Sequence, residues 1–245
     1  MSEEIKARVH SLESFGAADG PGVRFVVFLQ GCKFRCRYCH NPDTWATEGG
    51  TLYTADELIQ KALRYRSYWK NGGGITVSGG EPLLQLDFLT EFFKKAKAQG
   101  VHTCIDTAGQ PFTRGQPFFG KFEELMKSTD LVLLDIKEID PKRHRLITGF
   151  DNANILDMAR YLAEIGKPVR IRHVLVPSLT DRDDDLDRLG AFISSLGNVE
   201  MAEVLPYHSL GQFKWTNLGI PYTLSDEVSP TKERIENARR RLNGR

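Results

Sequence analysis

Three of the chain's four cysteines fall within eight residues: Cys32, Cys36 and Cys39, in the stretch Gly-Cys-Lys-Phe-Arg-Cys-Arg-Tyr-Cys-His-Asn from Gly31 to Asn41. Spacing of i, i+4 and i+7 would align them on one face of a helix. Against that, Gly31 before them and His40-Asn41-Pro42 after them read as loop, and Lys33, Arg35 and Arg37 weaken a buried stripe. Three clustered cysteines cannot all pair as disulfides. Soft thiolates with basic neighbours suit zinc or an iron-sulfur cluster. Structural zinc asks for a fourth tight ligand, yet no second Cys-x2-Cys or His-x3-His follows, and His40 is adjacent to Cys39 and poorly placed to close a tetrahedron. Three thiolates without a fourth ligand suggest a cubic four-iron, four-sulfur (4Fe-4S) cluster with one iron left open.

The elements that must carry this loop follow from hydrophobic periodicity and its punctuation. Apolar, β-branched runs predict six strands: Arg24 to Gln30, Ile75 to Ser78, Val101 to Asp106, Leu131 to Ile136, Val169 to Val176 and Val199 to Leu205. Between them lie helical stretches. Thr54-Ala-Asp-Glu57 is a capping box opening a helix to about Trp69; others run from Leu86 to Gln99, Asn154 to Ile165 and Asp183 to Leu196, and a last one is capped at Ser229-Pro230. The aspartates 183 to 185 read as a helix start, complementing the dipole. Strand and helix in alternation imply βαβ units and a parallel sheet; six units make an open (β/α)6 partial TIM barrel, here one domain spanning 1–245. Cys32 to Cys39, Gly79 to Glu81, Asp106-Thr107, Asp135 to Lys137 and Tyr207-His208 all fall at C-terminal strand ends, the rim where such folds place their sites.

Cys-x3-Cys-x2-Cys resembles the signature of the radical S-adenosylmethionine (radical SAM) enzymes. Together with Asp19-Gly-Pro-Gly-Val-Arg24, Tyr38-Cys-His-Asn41 and Ser78-Gly-Gly-Glu-Pro82, the chain is similar to the activating enzymes of glycyl radical enzymes. The similarity runs on through Asp106-Thr107, Asp135-Ile136-Lys137 and Leu205-Pro-Tyr-His208. That resemblance implies that Cys32, Cys36 and Cys39 hold the cluster and that S-adenosyl-L-methionine binds its open iron. It further implies that Tyr38 and His40 line the adenosine side, that Gly79, Gly80 and Glu81 present backbone polar groups to the methionine amine, and that Asp106, Asp135, Ile136, Lys137, Arg172 and His208 complete the pocket. The implied reaction is abstraction of a glycine hydrogen on a partner protein by a 5'-deoxyadenosyl radical. Many relatives carry eight further cysteines between the motif and Gly-Gly-Glu, but residues 40 to 78 contain none, which implies the short type and an external donor, flavodoxin or ferredoxin. Ala108-Gly109 stands where such relatives are expected to have Asn-Gly, and a monomer is implied.

Composition excludes other classes. A formal net charge of +1 gives no footprint for nucleic acid, and no apolar run is long enough to span a membrane. The start Met-Ser-Glu-Glu-Ile-Lys lacks a secretory signal, and clustered free cysteines suit the cytoplasm. Two competing readings remain open here: a radical SAM enzyme acting on a small molecule, such as a carboxy-deazaguanine synthase, and a zinc-binding interaction module. Strand periodicity sets Cys104 two residues behind Asp106, where core packing is expected. Asp106, Asp135 and a cofactor carboxylate need more compensation than Lys137 offers, so a monovalent cation, sodium or potassium, is expected on Asp106, Thr107 and Asp135.

Overall fold

The computed structural model describes residues 4–244, and among these it forms eight strands and eight α-helices. The strands are β1 (Lys6–Gly16), β2 (Arg24–Leu29), β3 (Thr51–Thr54), β4 (Gly74–Gly79), β5 (His102–Thr107), β6 (Leu131–Asp135), β7 (Val169–Leu175) and β8 (Val199–Pro206). The helices are α1 (Ala55–Leu63), α2 (Leu86–Ala98), α3 (Phe118–Met126), α4 (Pro141–Thr148), α5 (Ala153–Glu164), α6 (Asp183–Leu196), α7 (Gln212–Asn217) and α8 (Lys232–Asn243). Hydrogen-bonded neighbours follow the order β3-β1-β2-β4-β5-β6-β7-β8, an open α/β sheet that contains the six expected strands as β2 and β4 to β8. The count of six needs correction. β1 pairs antiparallel with β2 across two register shifts, and β3 pairs antiparallel with β1. In β1, buried Ala7 and Val9 give way to partly exposed residues, so it lacks the continuous apolar run that identifies a parallel strand. None of the helices is long and apolar enough to cross a membrane.

Two compact units divide the chain: residues up to 32 with 46–133, and 33–45 with 134 onward. In the first, β2, β4 and β5 run parallel, pairing Val27 with Val77 and Thr76 with Cys104. Their Val26, Val27, Ile75 and Val77, like Leu58 of α1 and Leu89, Phe92 and Phe93 of α2, are buried in the core of this unit. Helix α1 is capped as the sequence predicts: the Thr54 side chain accepts from the Glu57 amide, and the Glu57 side chain accepts from the Thr54 amide. It stops at Leu63 rather than Trp69, with Arg66–Tyr68 forming a separate 3-10 turn.

Arg24 anchors this unit. Its side chain is fully buried, and its guanidinium donates to Thr76 Oγ1 at 2.5 Å and to the carbonyls of Pro21, Gly72 and Ile75 at 3.1, 3.0 and 2.7 Å. Thr76 passes the contact on, donating to the Asp19 carbonyl at 2.7 Å. The motif Asp19 to Arg24 is therefore a loop wrapped on its own arginine, with the five donors of the guanidinium fork replacing water for buried carbonyls. Arg24→Met should lower the unfolding free energy of the apoprotein by about 3 kcal/mol or more, because several acceptors lose their donor at once. Urea denaturation under anaerobic conditions measures this; a loss under about 1 kcal/mol would show that water takes the arginine's place.

In the second unit β7 and β8 run parallel, pairing Ile171 with Ala202. Helix α6 starts at Asp183 as predicted, but Asp183 also joins α6 to α8: its carboxylate accepts from Arg234 at 3.0 Å, Asn237 at 2.9 Å and Arg241 at 2.7 Å. The cap of α8 is Thr231, two residues beyond the expected Ser229. Neither α4 nor α7 is expected from the periodicity, and both prove central to the site.

Candidate active site

The first unit carries Cys32 and the Gly79-Gly80-Glu81 turn at the end of β4. A Cβ on Gly79, whose φ is +116°, would lie 2.2 Å from the Leu29 nitrogen. One on Gly80 would lie 2.2 Å from the Gly31 oxygen and 3.2 Å from Cys32 Cβ, so only glycine lets the turn lie against the start of the cysteine loop. The Gly80 amide donates to the Leu29 carbonyl and the Glu81 amide to the Gly31 carbonyl, each at 2.8 Å. What the turn can offer an ammonium group is thus carbonyl oxygen rather than N–H.

The Glu81 side chain is engaged within the protein. Only 1% exposed, its Oε1 accepts from the Leu83 amide at 3.1 Å and from the Thr107 hydroxyl at 2.5 Å, and its Oε2 accepts from the Ala108 amide at 3.1 Å. The carboxylate is a tie between the turn and the end of β5. Thr107 Oγ1 in turn accepts from the Gly109 amide at 2.9 Å, so this hydroxyl is part of the same tie. Asp106 Oδ2 accepts from the Ser78 hydroxyl at 2.7 Å. Cys104 is fully buried beside Leu131 and Leu133, in core packing.

Burial pushes the Glu81 carboxyl up to about 7, against the three hydrogen bonds that favour its charge. A carboxyl that binds its proton more tightly folded than unfolded favours folding at low pH, and that advantage is lost as pH rises from about 4.5 to about 7. The apoprotein should therefore be less stable at pH 8 than at pH 5 by up to about 3 kcal/mol from this group, and Glu81→Gln should flatten the difference. Thermal or urea melts of both proteins at the two pH values decide; equal slopes for wild type and variant contradict the assignment.

The second unit carries Cys36 and Cys39. Their loop forms no regular element, but its amides are satisfied: Arg35 N donates to the Thr148 carbonyl at 2.9 Å, Arg37 N to the Ile147 carbonyl at 3.0 Å and Cys39 N to the Cys36 carbonyl at 3.0 Å. The first two acceptors are the last turn of α4, whose carbonyls have no partner inside the helix. Phe34 fastens the same contact, its ring 5.6 Å from those of His144 and Phe150. At the far end, the indole N–H of Trp215 in α7 donates to the Cys39 carbonyl at 2.8 Å. Lys214 Nζ meets Asn41 Oδ1 at 2.8 Å and Asp43 Oδ2 at 3.0 Å.

Around the loop stand the other expected residues. Lys137 Nζ lies 2.5 Å from Asp135 Oδ2 and 6.0 Å from the centre of the Tyr38 ring. Burial works against the lysine's charge, yet Asp135, with Tyr38 and Cys36, holds its pKa well above the ordinary value. Burial pushes the Tyr38 phenol well up, and its hydroxyl has no hydrogen-bond partner among the described residues. The His40 and His208 rings lie 4.2 Å apart, with His40 Nε2 3.1 Å from the His208 carbonyl. Ile136 is fully buried; its amide donates to the Arg172 carbonyl at 3.0 Å and its carbonyl lies 3.0 Å from His173 Nδ1, so only backbone is available there. The Arg172 guanidinium stands beside Glu203, Nε to Oε2 3.8 Å.

The donor set fits an iron-sulfur cluster. None of the three loop cysteines is in a disulfide, and a cubic cluster takes one soft thiolate on each of three irons rather than three on one ion. Among the described residues no three His, Cys, Asp or Glu side chains converge on a single metal ion. In the second unit, the Tyr38 hydroxyl beside Cys36 and Cys39 has no partner among the described residues, leaving a polar group for a ligand to meet. Trp45, Lys214, Trp215 and α4 were invisible to sequence reasoning about the site, though Asp140-Pro141 before α4 and Gly149 after it are cap signals.

Comparison with known proteins places these features. Residues 26–189 match the Radical SAM superfamily. A pyruvate formate-lyase-activating enzyme of Streptococcus mutans is 54% identical over 240 residues, covering 97% of this chain and 91% of the relative. One from Listeria monocytogenes is 51% identical over 231 residues, covering 94% and 93%. Among solved structures, a domain of a pyruvate-formate lyase-activating enzyme from Bacteroides vulgatus superposes with a TM-score of 0.58 at 27% identity, covering 71% of this chain and 94% of that one. Streptococcus suis SuiB, bound to precursor peptide SuiA, superposes at 0.63 with 19% identity, covering 81% and 41%, a likeness of fold.

Proposed function

Because the chain belongs to the radical SAM superfamily and, within it, to the family of the pyruvate formate-lyase-activating enzymes, we propose that it activates a pyruvate formate-lyase under anaerobic conditions by removing a hydrogen atom from one glycine. The observation that carries this reading is the intact Cys32-x3-Cys36-x2-Cys39 loop, its cysteines outside any disulfide, in a chain that matches such activators over almost its whole length. A 4Fe-4S cluster on these thiolates supplies the electron that cleaves S-adenosylmethionine reductively, and the resulting 5'-deoxyadenosyl radical abstracts the glycine hydrogen.

The chain's own part is to bind, orient and exclude water. Cys32, Cys36 and Cys39 are the ligands in this proposal. Carbonyls of the Gly79-Gly80 turn accept from the cofactor's amine, while Glu81 holds that turn rather than touching the cofactor. Lys137, fixed by Asp135, supplies positive charge, and the His40-His208 pair with Tyr38 gives flat apolar surface for adenine. Flavodoxin or ferredoxin delivers the electron, and the protein works as a cytoplasmic monomer. A near-full-length match to activators supports the protein substrate over a small molecule. After anaerobic reconstitution, Cys36→Ala should lose cluster iron and 5'-deoxyadenosine formation together while its apoprotein melts as wild type does, and Cys104→Ala should retain both. A wild type that cleaves S-adenosylmethionine but confers no activity on pyruvate formate-lyase would overturn the proposed substrate.

A monovalent cation at Asp106, Thr107 and Asp135 belongs to the same proposal. Within the first unit Asp106 and the buried Glu81 lie near Thr107, and the Asp106 carboxylate disfavours charge on Glu81. Sodium or potassium on Asp106 would offset the added carboxylate of the cofactor, with all-oxygen ligands. Titration of S-adenosylmethionine into protein stripped of these cations should show weaker binding that either ion restores at constant ionic strength. Unchanged affinity removes the cation from the account.

A further inference from the structure

Cys39 is gripped from outside by a residue that no cysteine motif contains. Trp215 donates its indole N–H to the Cys39 carbonyl at 2.8 Å. The Trp215 indole packs edge to face on that of Trp45, centroids 5.0 Å apart at 86°, and each ring is held from outside. The Arg35 guanidinium lies 4.8 Å above the Trp45 ring, and Tyr222 packs on Trp215 at 5.2 Å. Lys214, next to Trp215, bridges Asn41 and Asp43 just beyond the loop. An indole N–H can only donate, so this contact calls for an acceptor, and the Cys39 carbonyl supplies it.

We propose that Trp45 and Trp215 form a bracket that positions Cys39 as a cluster ligand, Trp215 fixing its backbone and Trp45 holding the Trp215 ring in place, with Lys214 closing the bracket on the loop's exit. This rests on the reading of Cys39 as a ligand. Outer hydrogen bonds of this kind orient ligands. The tryptophans are positioning residues.

The test uses anaerobically reconstituted full-length protein, with iron and sulfide content and iron release to a chelator. Phenylalanine keeps the ring and removes the donor. Trp215→Phe should take up the wild-type complement of iron and sulfide but release iron about 10-fold faster or more, the usual scale for losing an outer-shell partner. Trp45→Ala, which removes the ring packed on Trp215, should also release iron faster than wild type. Release at the wild-type rate in either variant overturns the proposal. Should either ring replacement abolish the apoprotein's melting transition, Lys214→Gln decides: faster release supports the bracket, an unchanged rate overturns it. Cys39→Ala keeps the two questions apart, because a full complement of iron and sulfide in that variant would strike the ligand reading itself.

Discussion

The loop bearing Cys36 and Cys39 has no secondary structure of its own, so everything it does depends on hydrogen bonds borrowed from other segments. Its Arg35 and Arg37 amides use the unpaired carbonyls at the end of α4, and its exit is held by the Trp215 indole. On the other side, the Gly31 carbonyl accepts from Glu81. A buried loop must satisfy its backbone, and here each satisfied group also fixes a cysteine. Helix α4 and helix α7 are accordingly parts of the site, although neither carries a ligand.

The same economy governs buried charge. Arg24, Glu81 and Lys137 are each withdrawn from water, and each is surrounded by partners of the right kind: five oxygen acceptors, three donors, and one carboxylate respectively. Losing a partner in such a place costs more than the bond itself. Arg24 shapes the Asp19 to Arg24 loop, Glu81 joins β4's end to β5's, and Lys137 stays protonated beside the Tyr38 ring. Three of the motifs noticed in the sequence thus have a structural member whose role is to hold the others still.

Legibility in the sequence tracked the range over which a feature is written. The cysteine spacing, the glycine pair and the capping box at Thr54 to Glu57 are local, and the structure has them where the sequence puts them. Parallel strands showed as apolar runs, whereas β1, wet on one face and bulged, did not. The side-chain role of Glu81 is not written locally; it depends on the placement of Thr107 and Ala108, to which the carboxylate is tied. Trp215 lies 176 residues from Cys39, and no periodicity relates them.

The central claim is that the cysteine loop is already built before any cluster enters it. Hydrogen exchange of the anaerobic apoprotein tests this directly, read at the amides of Arg35, Arg37 and Cys39. The account predicts that all three exchange slowly, with protection comparable to that of the α4 backbone they are joined to. Exchange at the rate of an unstructured peptide, with protection gained only on cluster insertion, would contradict it.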